Sequence, residues 1–162
     1  GKVAKGTTHD FVPGKPIFHL QSSDSGQLVE VKMDDLKAIF FVKDFGGRPD
    51  YHENREFPEK PQAGKGRKIA VMFNDGELLT GYTLGYDPKR PGFFMMPADE
   101  MSNNDRIYVI KSAVKDVGFG QNGDTVPKRF TLVMQVGEEP RHRRPTQLRA
   151  VRERQLHRHA RL

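Results

Sequence analysis

Two short loops carry cations where a polyanion could be held. Lys89 and Arg90 stand between prolines in DPKRPG (87–92), and Lys15 occupies the matching PGKP stretch 75 residues before Arg90. Lys and Arg meet phosphates through charge, so they carry affinity without sequence choice. Tyr82, Tyr86, Phe93 and Phe94 flank the later loop, and a base stacked on an aromatic face gains about 1–3 kcal/mol. Period-two alternation sends one member of each pair into a core, so packing competes with stacking for these rings. Tyr86, which adjoins the loop, joins Lys15, Lys89 and Arg90 as a nucleic-acid-binding candidate.

Other chemistries find less. His9, Asp10 and His19 offer two imidazoles and a carboxylate for a metal. The positions matching His9 and His19 in the later stretch hold Leu84 and Phe94, and the spacing follows no compact ligand motif. No metal or cofactor is expected. Ser22, Ser23 and Ser25 lack the context of a nucleophile elbow, and the absence of Cys removes thiolate chemistry and disulfides. GKGRK (64–68) precedes a strand pattern, whereas a phosphate-cradling loop opens a helix. These absences point to a binding module and away from an enzyme.

The 162 residues carry 27 Lys and Arg against 21 Asp and Glu, a net charge of +6, with a pI near 9.6. The charge is local. Residues 141–162 hold eight Arg and one Glu, a net of +7, which leaves −1 for the rest. Such a block is read as a solvated arm, as an electrostatic hold on phosphates, or as a segment foreign to the domain. Apolar residues make up 35%, with 11 Phe and 4 Tyr to build a core. No apolar run approaches the roughly 20 residues of a membrane span, and no signal pattern opens the chain, so a cytoplasmic protein without membrane contact is expected.

The elements that position the loops come from an internal repeat. Gly6, Thr8, Pro13, Pro16, Phe18 and Asp24 recur as Gly81, Thr83, Pro88, Pro91, Phe93 and Asp99, all at an offset of 75. After a three-residue insertion, Val31, Lys37 and Phe41 recur as Val109, Lys115 and Phe119 at an offset of 78. The second copy reads as five short strands over 68–73, 77–86, 93–96, 106–111 and 113–119. Asn74-Asp75-Gly76 supplies the hairpin turn, and Gly81 and Gly85 mark a bend or close backbone approach. Five antiparallel strands around a bent second strand describe a small barrel, which hides sheet edges. The first copy lacks the opening strand: either the chain is cut inside a hairpin, or another segment, of which 129–136 (RFTLVMQV) is the candidate, supplies it. Residues 46–67 read as a linker lying across a barrel by Tyr51 and Phe57.

VMFNDGELLTGYTLGYD (71–87) resembles the opening of Sm and Hfq-like domains, and IKSAVKDV (110–117) resembles their closing strand motif. KAIFFVKDF (37–45) is similar to uncharacterised bacterial proteins carrying such domains in tandem. The resemblance implies single-stranded RNA binding, with Lys111 standing where that family places a Lys and Ser112 in place of its His. A Pro-Lys-Arg-Pro loop replaces a base-contacting Asn. Those proteins form rings through edge strands, whereas two fused copies imply a pseudo-dimer within one chain.

The sequence therefore predicts an all-β protein of two tandem five-stranded Sm/SH3-like barrels, the first lacking its first strand. The first repeat spans 1–45, the linker 46–67, the second repeat 68–120, a connection with an extra strand 121–137, and a basic disordered tail 138–162. Two functions stay open: RNA or single-stranded nucleic-acid binding through Lys111, Lys89, Arg90, Tyr86 and Lys15, or a protein-interaction or signalling adaptor without nucleic-acid binding.

Overall fold

The computed structural model describes residues 2–58 and 63–120, together with the backbone of 147–152. These residues are all-β, with two 3-10 turns and no α-helix among them. The first repeat forms β1 (Val3–Thr7), β2 (Ile17–Ser22), β3 (Leu28–Lys32) and β4 (Leu36–Val42), with a 3-10 turn at Met33–Asp35 before β4. The second forms β5 (Arg67–Phe73), β6 (Leu78–Thr83), β7 (Gly92–Pro97), β8 (Asn104–Ile110) and β9 (Val114–Gly120), with its 3-10 turn at Lys111–Ala113. Gly76 takes φ +87° in the β5–β6 turn, a conformation that costs glycine little. Asp75 accepts the Glu77 backbone N–H at 3.0 Å there.

One close approach to a glycine recurs in both repeats. A Cβ on Gly81 would stand 2.0 Å from the Met96 carbonyl oxygen, and one on Gly6 would stand 2.2 Å from that of Gln21. Both pairs sit at the 75-residue offset, so the repeats share this backbone approach. Gly85, also read as a bend, faces open space.

The slot for the first repeat's missing strand is filled. β10 (Gln147–Arg152) lies between β1 and β4 and pairs antiparallel with both. Its register copies that of β5. Leu148 faces Gly6 and Phe41, as Ile69 faces Gly81 and Phe119. The irregularity between Val151 and Arg152 against β4 matches the one between Met72 and Phe73 against β9. The expected disordered tail is thus corrected over these six residues. An empty position with unpaired groups on both flanks outweighs a modest strand propensity, because each backbone donor and acceptor gained is an obligatory partner satisfied. The run 129–136, the sequence candidate for this role, lies outside the described residues.

Ten strands hydrogen-bond in the continuous order β3-β2-β1-β10-β4-β8-β7-β6-β5-β9. The order is open, not two closed barrels. Closing the first repeat would need β3 on β4, and closing the second would need β9 on β8. The edges of β4 and β8 that would close them are instead spent on each other. Side-chain alternation makes this pair a two-sided wall. Ile39, Phe41, Tyr108 and Ile110 join one core with Phe18, Leu20 and Val31. Ala38, Ile107 and Val109 join the other with Ile69, Val71, Phe73 and Met95, and Phe40 packs against it.

The segment between the repeats is sewn to the second one. Tyr51 donates to Asp99, which also accepts the Asn54 backbone N–H at 2.8 Å. Thr80 donates to the Arg55 carbonyl at 2.7 Å, and Phe57 packs edge-on against Tyr82 at 5.3 Å. Both aromatics named from sequence therefore make anchoring contacts.

Two substitutions probe these features. Gly81→Ala is expected to cost roughly 3 kcal/mol in urea unfolding, since backbone must shift to admit the methyl, while Gly85→Ala is expected to stay near wild type. Ala150→Pro removes a ladder donor from a strand paired on both sides and is expected to lower stability by about 2–3 kcal/mol. An unchanged urea midpoint for Ala150→Pro would show that β10 does not complete the sheet.

Candidate functional site

Where the repeats meet, their equivalent loops face one another across a cavity of about 530 Å³. The first repeat lends Gly14, Lys15, Pro16, Met33 and Asp34. The second lends Lys89, Arg90, Pro91, Lys111 and Ser112, with Tyr108 and Ile110 on the floor. Lys15 corresponds to Arg90 and Pro16 to Pro91 at offset 75, while Met33 corresponds to Lys111 and Asp34 to Ser112 at offset 78. Each 3-10 turn is tied to its own loop by the same bond: Met33 N–H donates to the Pro16 carbonyl at 2.8 Å, and Lys111 N–H to that of Pro91 at 2.9 Å.

Packing fixes the loops. Phe11 inserts its ring edge-on among Phe18 (5.5 Å), Phe41 (5.7 Å) and Tyr108 (5.4 Å), tying the first repeat's loop to β8. Burial raises the Tyr108 phenol above its ordinary range, against a backbone hydrogen bond from Gly14 and the charge of Arg90. It is therefore a neutral donor or acceptor on the cavity floor.

The structure gathers Lys15, Lys89, Arg90 and Lys111 around this one space. Among the described residues Asp34 is the only acidic one of the lining, which leaves them a net of +3. Arg90 also meets Asp87 at 3.6 Å, but with its side chain 77% exposed that pair is weak. Asp34 escaped sequence reasoning, although the 78-residue offset that aligns it with Ser112 was the signal to find it. Tyr86 does not line the cavity. Its ring packs against Phe93 at 5.0 Å and Phe119 at 5.1 Å. Tyr82 and Phe93 are buried; of the four flanking aromatics, Phe93 and half-buried Phe94 border a second cavity, of about 450 Å³, that shares Gly14, Arg90, Pro91 and Tyr108 with the first.

A separate ionic cluster locks the repeats together at the start of β4, three residues beyond Asp34. Lys37 is 3% exposed. Its ammonium donates to Asp75 at 2.5 Å and to Glu77, both in the β5–β6 turn, and stands 4.4 Å from the Phe73 ring centroid. Desolvation alone would raise Asp75, but hydrogen bonds from Lys37 and the Glu77 backbone outweigh it and hold the carboxyl below its ordinary value. The equivalent Lys115 is exposed.

His19 and Asp10 form a surface pair at 2.7 Å. The hydrogen bond from the His19 side chain, then that from its backbone, lowers Asp10 to about 2. No group of three or more His, Cys, Asp or Glu able to hold a metal occurs among the described residues. No helix among them is long and apolar enough to cross a membrane.

The model of the DUF6982 family, a family of unknown function, matches residues 1–119, and the chain belongs to that family. No curated protein and no solved structure matches it.

The Lys37 cluster separates two kinds of loss. Lys37→Met lets two half-exposed carboxylates rehydrate and is expected to cost about 1 kcal/mol, whereas Asp75→Ala/Glu77→Ala strands a buried ammonium and is expected to cost about 3 kcal/mol or more. A depressed carboxylate stabilises the fold above its unfolded pKa, near 4, and that contribution is lost as pH falls through the folded value. Stability measured by urea unfolding is therefore expected to drop below about pH 4 in wild type and to be flatter with pH in Lys37→Met.

Proposed function

We propose that this member of a family of unknown function is a non-enzymatic binding module for single-stranded nucleic acid, RNA foremost, built from two tandem Sm-like repeats. The observation that carries the proposal is the convergence of Lys15, Lys89, Arg90 and Lys111, from both repeats, on one cavity. A body of net charge −1 that concentrates +3 at one place supports local capture of an anion over diffuse attraction. The site's groups bring donors for phosphate oxygens. Lys111 also stands where the Sm resemblance places a Lys, whereas the Pro-Lys-Arg-Pro loop departs from that family.

The adaptor alternative is favoured by a different feature. β3 ends the sheet order with Leu28 66% and Val29 38% exposed, an apolar edge of the kind that accepts a partner strand. This reading needs no nucleic acid, and its surface shares no residue with the seam.

The test is salt-dependent binding of an eight-nucleotide RNA to the full chain, since deleting the basic tail would remove β10. Three or four phosphate contacts predict that affinity falls about 15- to 50-fold between 50 and 200 mM salt, and that Arg90→Ala/Lys111→Ala lowers the slope by about 1.4. Replacing Arg141, Arg143, Arg144, Arg158 and Arg161 by Gln is expected to leave most of the affinity in place. Binding that vanishes with those five arginines and ignores Arg90 and Lys111 would assign the affinity to the tail and remove it from the repeats.

A further inference from the structure

We infer that the second cavity, bounded by Leu84, Phe94, Met96, Arg106 and Tyr108, is a nucleobase subsite, so that one unit of a single strand lies with its phosphate in the cationic seam and its base in this groove. The inference rests on the nucleic-acid proposal above and adds to it where the base goes.

The groove has the chemistry of a stacking slot. Leu84 is 77% exposed immediately after β6, and nothing in the described core needs it there. Phe94 and Met96, both half-buried, supply an aromatic face and a polarizable thioether. The Arg106 guanidinium lies 5.0 Å from the Phe94 ring centroid and 4.4 Å from that of Phe41, so an exposed planar cation already rests on aromatic rings at the groove's edge. Bases stack on guanidinium planes and aromatic faces alike.

Adjacency decides the occupant. The groove and the seam share Gly14, Arg90, Pro91 and Tyr108, which sets an apolar slot of about 450 Å³ beside a +3 cavity. A single-stranded nucleic acid repeats that alternation of anion and flat ring along its length. An extended peptide needs main-chain partners as well, and part of the groove's backbone is already engaged. β7 is bonded to β8 over Gly92–Met95, and the Phe94 carbonyl accepts the Thr83 hydroxyl at 2.8 Å.

The experiment compares three probes on the full chain: an eight-nucleotide RNA, an abasic oligonucleotide of the same length, and an acidic peptide containing Phe. Two groove variants are used, Phe94→Leu, which keeps apolar volume, and Leu84→Ser, at an exposed position where folding is not at risk. Each is expected to weaken RNA binding about tenfold and to leave the abasic oligomer unchanged, whereas Arg90→Ala/Lys111→Ala weakens both. Equal RNA and abasic affinities, with both insensitive to Leu84→Ser and Phe94→Leu, would overturn the base subsite and leave the seam standing. Peptide binding tighter than RNA and lost in the groove variants would overturn the nucleobase as occupant. Failure of wild type to bind any probe would overturn the nucleic-acid proposal, and this subsite with it.

Discussion

The antiparallel pairing of β4 with β8 is the constraint from which the rest of the molecule follows. It joins two repeats that, taken alone, would each lack a covered edge. Because strand side chains alternate, a single register decides which residues enter which core. Ile39 opposite Tyr108 faces the first core, while Ala38 opposite Val109 and Phe40 opposite Ile107 face the second. A slip of one residue would turn every one of these pairs to the wrong side. The wall therefore acts as a shared partition, and it fixes the distance between the two equivalent loops that border the seam.

Equivalent positions across that partition have diverged in charge while keeping the backbone. Both 3-10 turns bond to their loops in the same way, but one presents Met33 and Asp34 where the other presents Lys111 and Ser112. The same asymmetry holds at the start of β4, where Lys37 is buried between Asp75 and Glu77 and its counterpart Lys115 is exposed. The repeat thus supplies geometry twice and chemistry once. The basic character of the sequence belongs mostly to a segment that contributes backbone to the fold, whereas a few loop residues give the seam its positive charge.

Much of this was legible in the residues. The two offsets located both repeats, the Asp-Gly turn placed the β5–β6 hairpin, and Gly81 announced a close approach that the Met96 carbonyl makes. Tyr51 and Phe57 marked how the linker attaches. The loop cations were legible as a set because the repeat aligns Lys15 with Arg90. What escaped was non-local. β10 carries the pattern QLRAVR, whose arginines read as solvated charge. Only the vacancy between β1 and β4, distant in sequence, makes it a strand. Closed barrels were expected because each repeat was considered singly, and the competition of β4 and β8 for each other's edges has no signature within one copy. Tyr86 was drawn to the site by its neighbours in sequence, but Phe93 and Phe119 hold its ring in the core.

The central claim is that both repeats present one anion site across their shared wall. Backbone amide shifts of the 15N-labelled full chain, followed during titration with a short single-stranded RNA, test it most directly. The account predicts that Gly14 and Lys15 of the first repeat and Arg90, Lys111 and Ser112 of the second shift together along one saturation curve, with the amides around Tyr51 and Asp99, at the opposite end of β8, unmoved. Shifts confined to a single repeat, or to residues 141–162 alone, would contradict it.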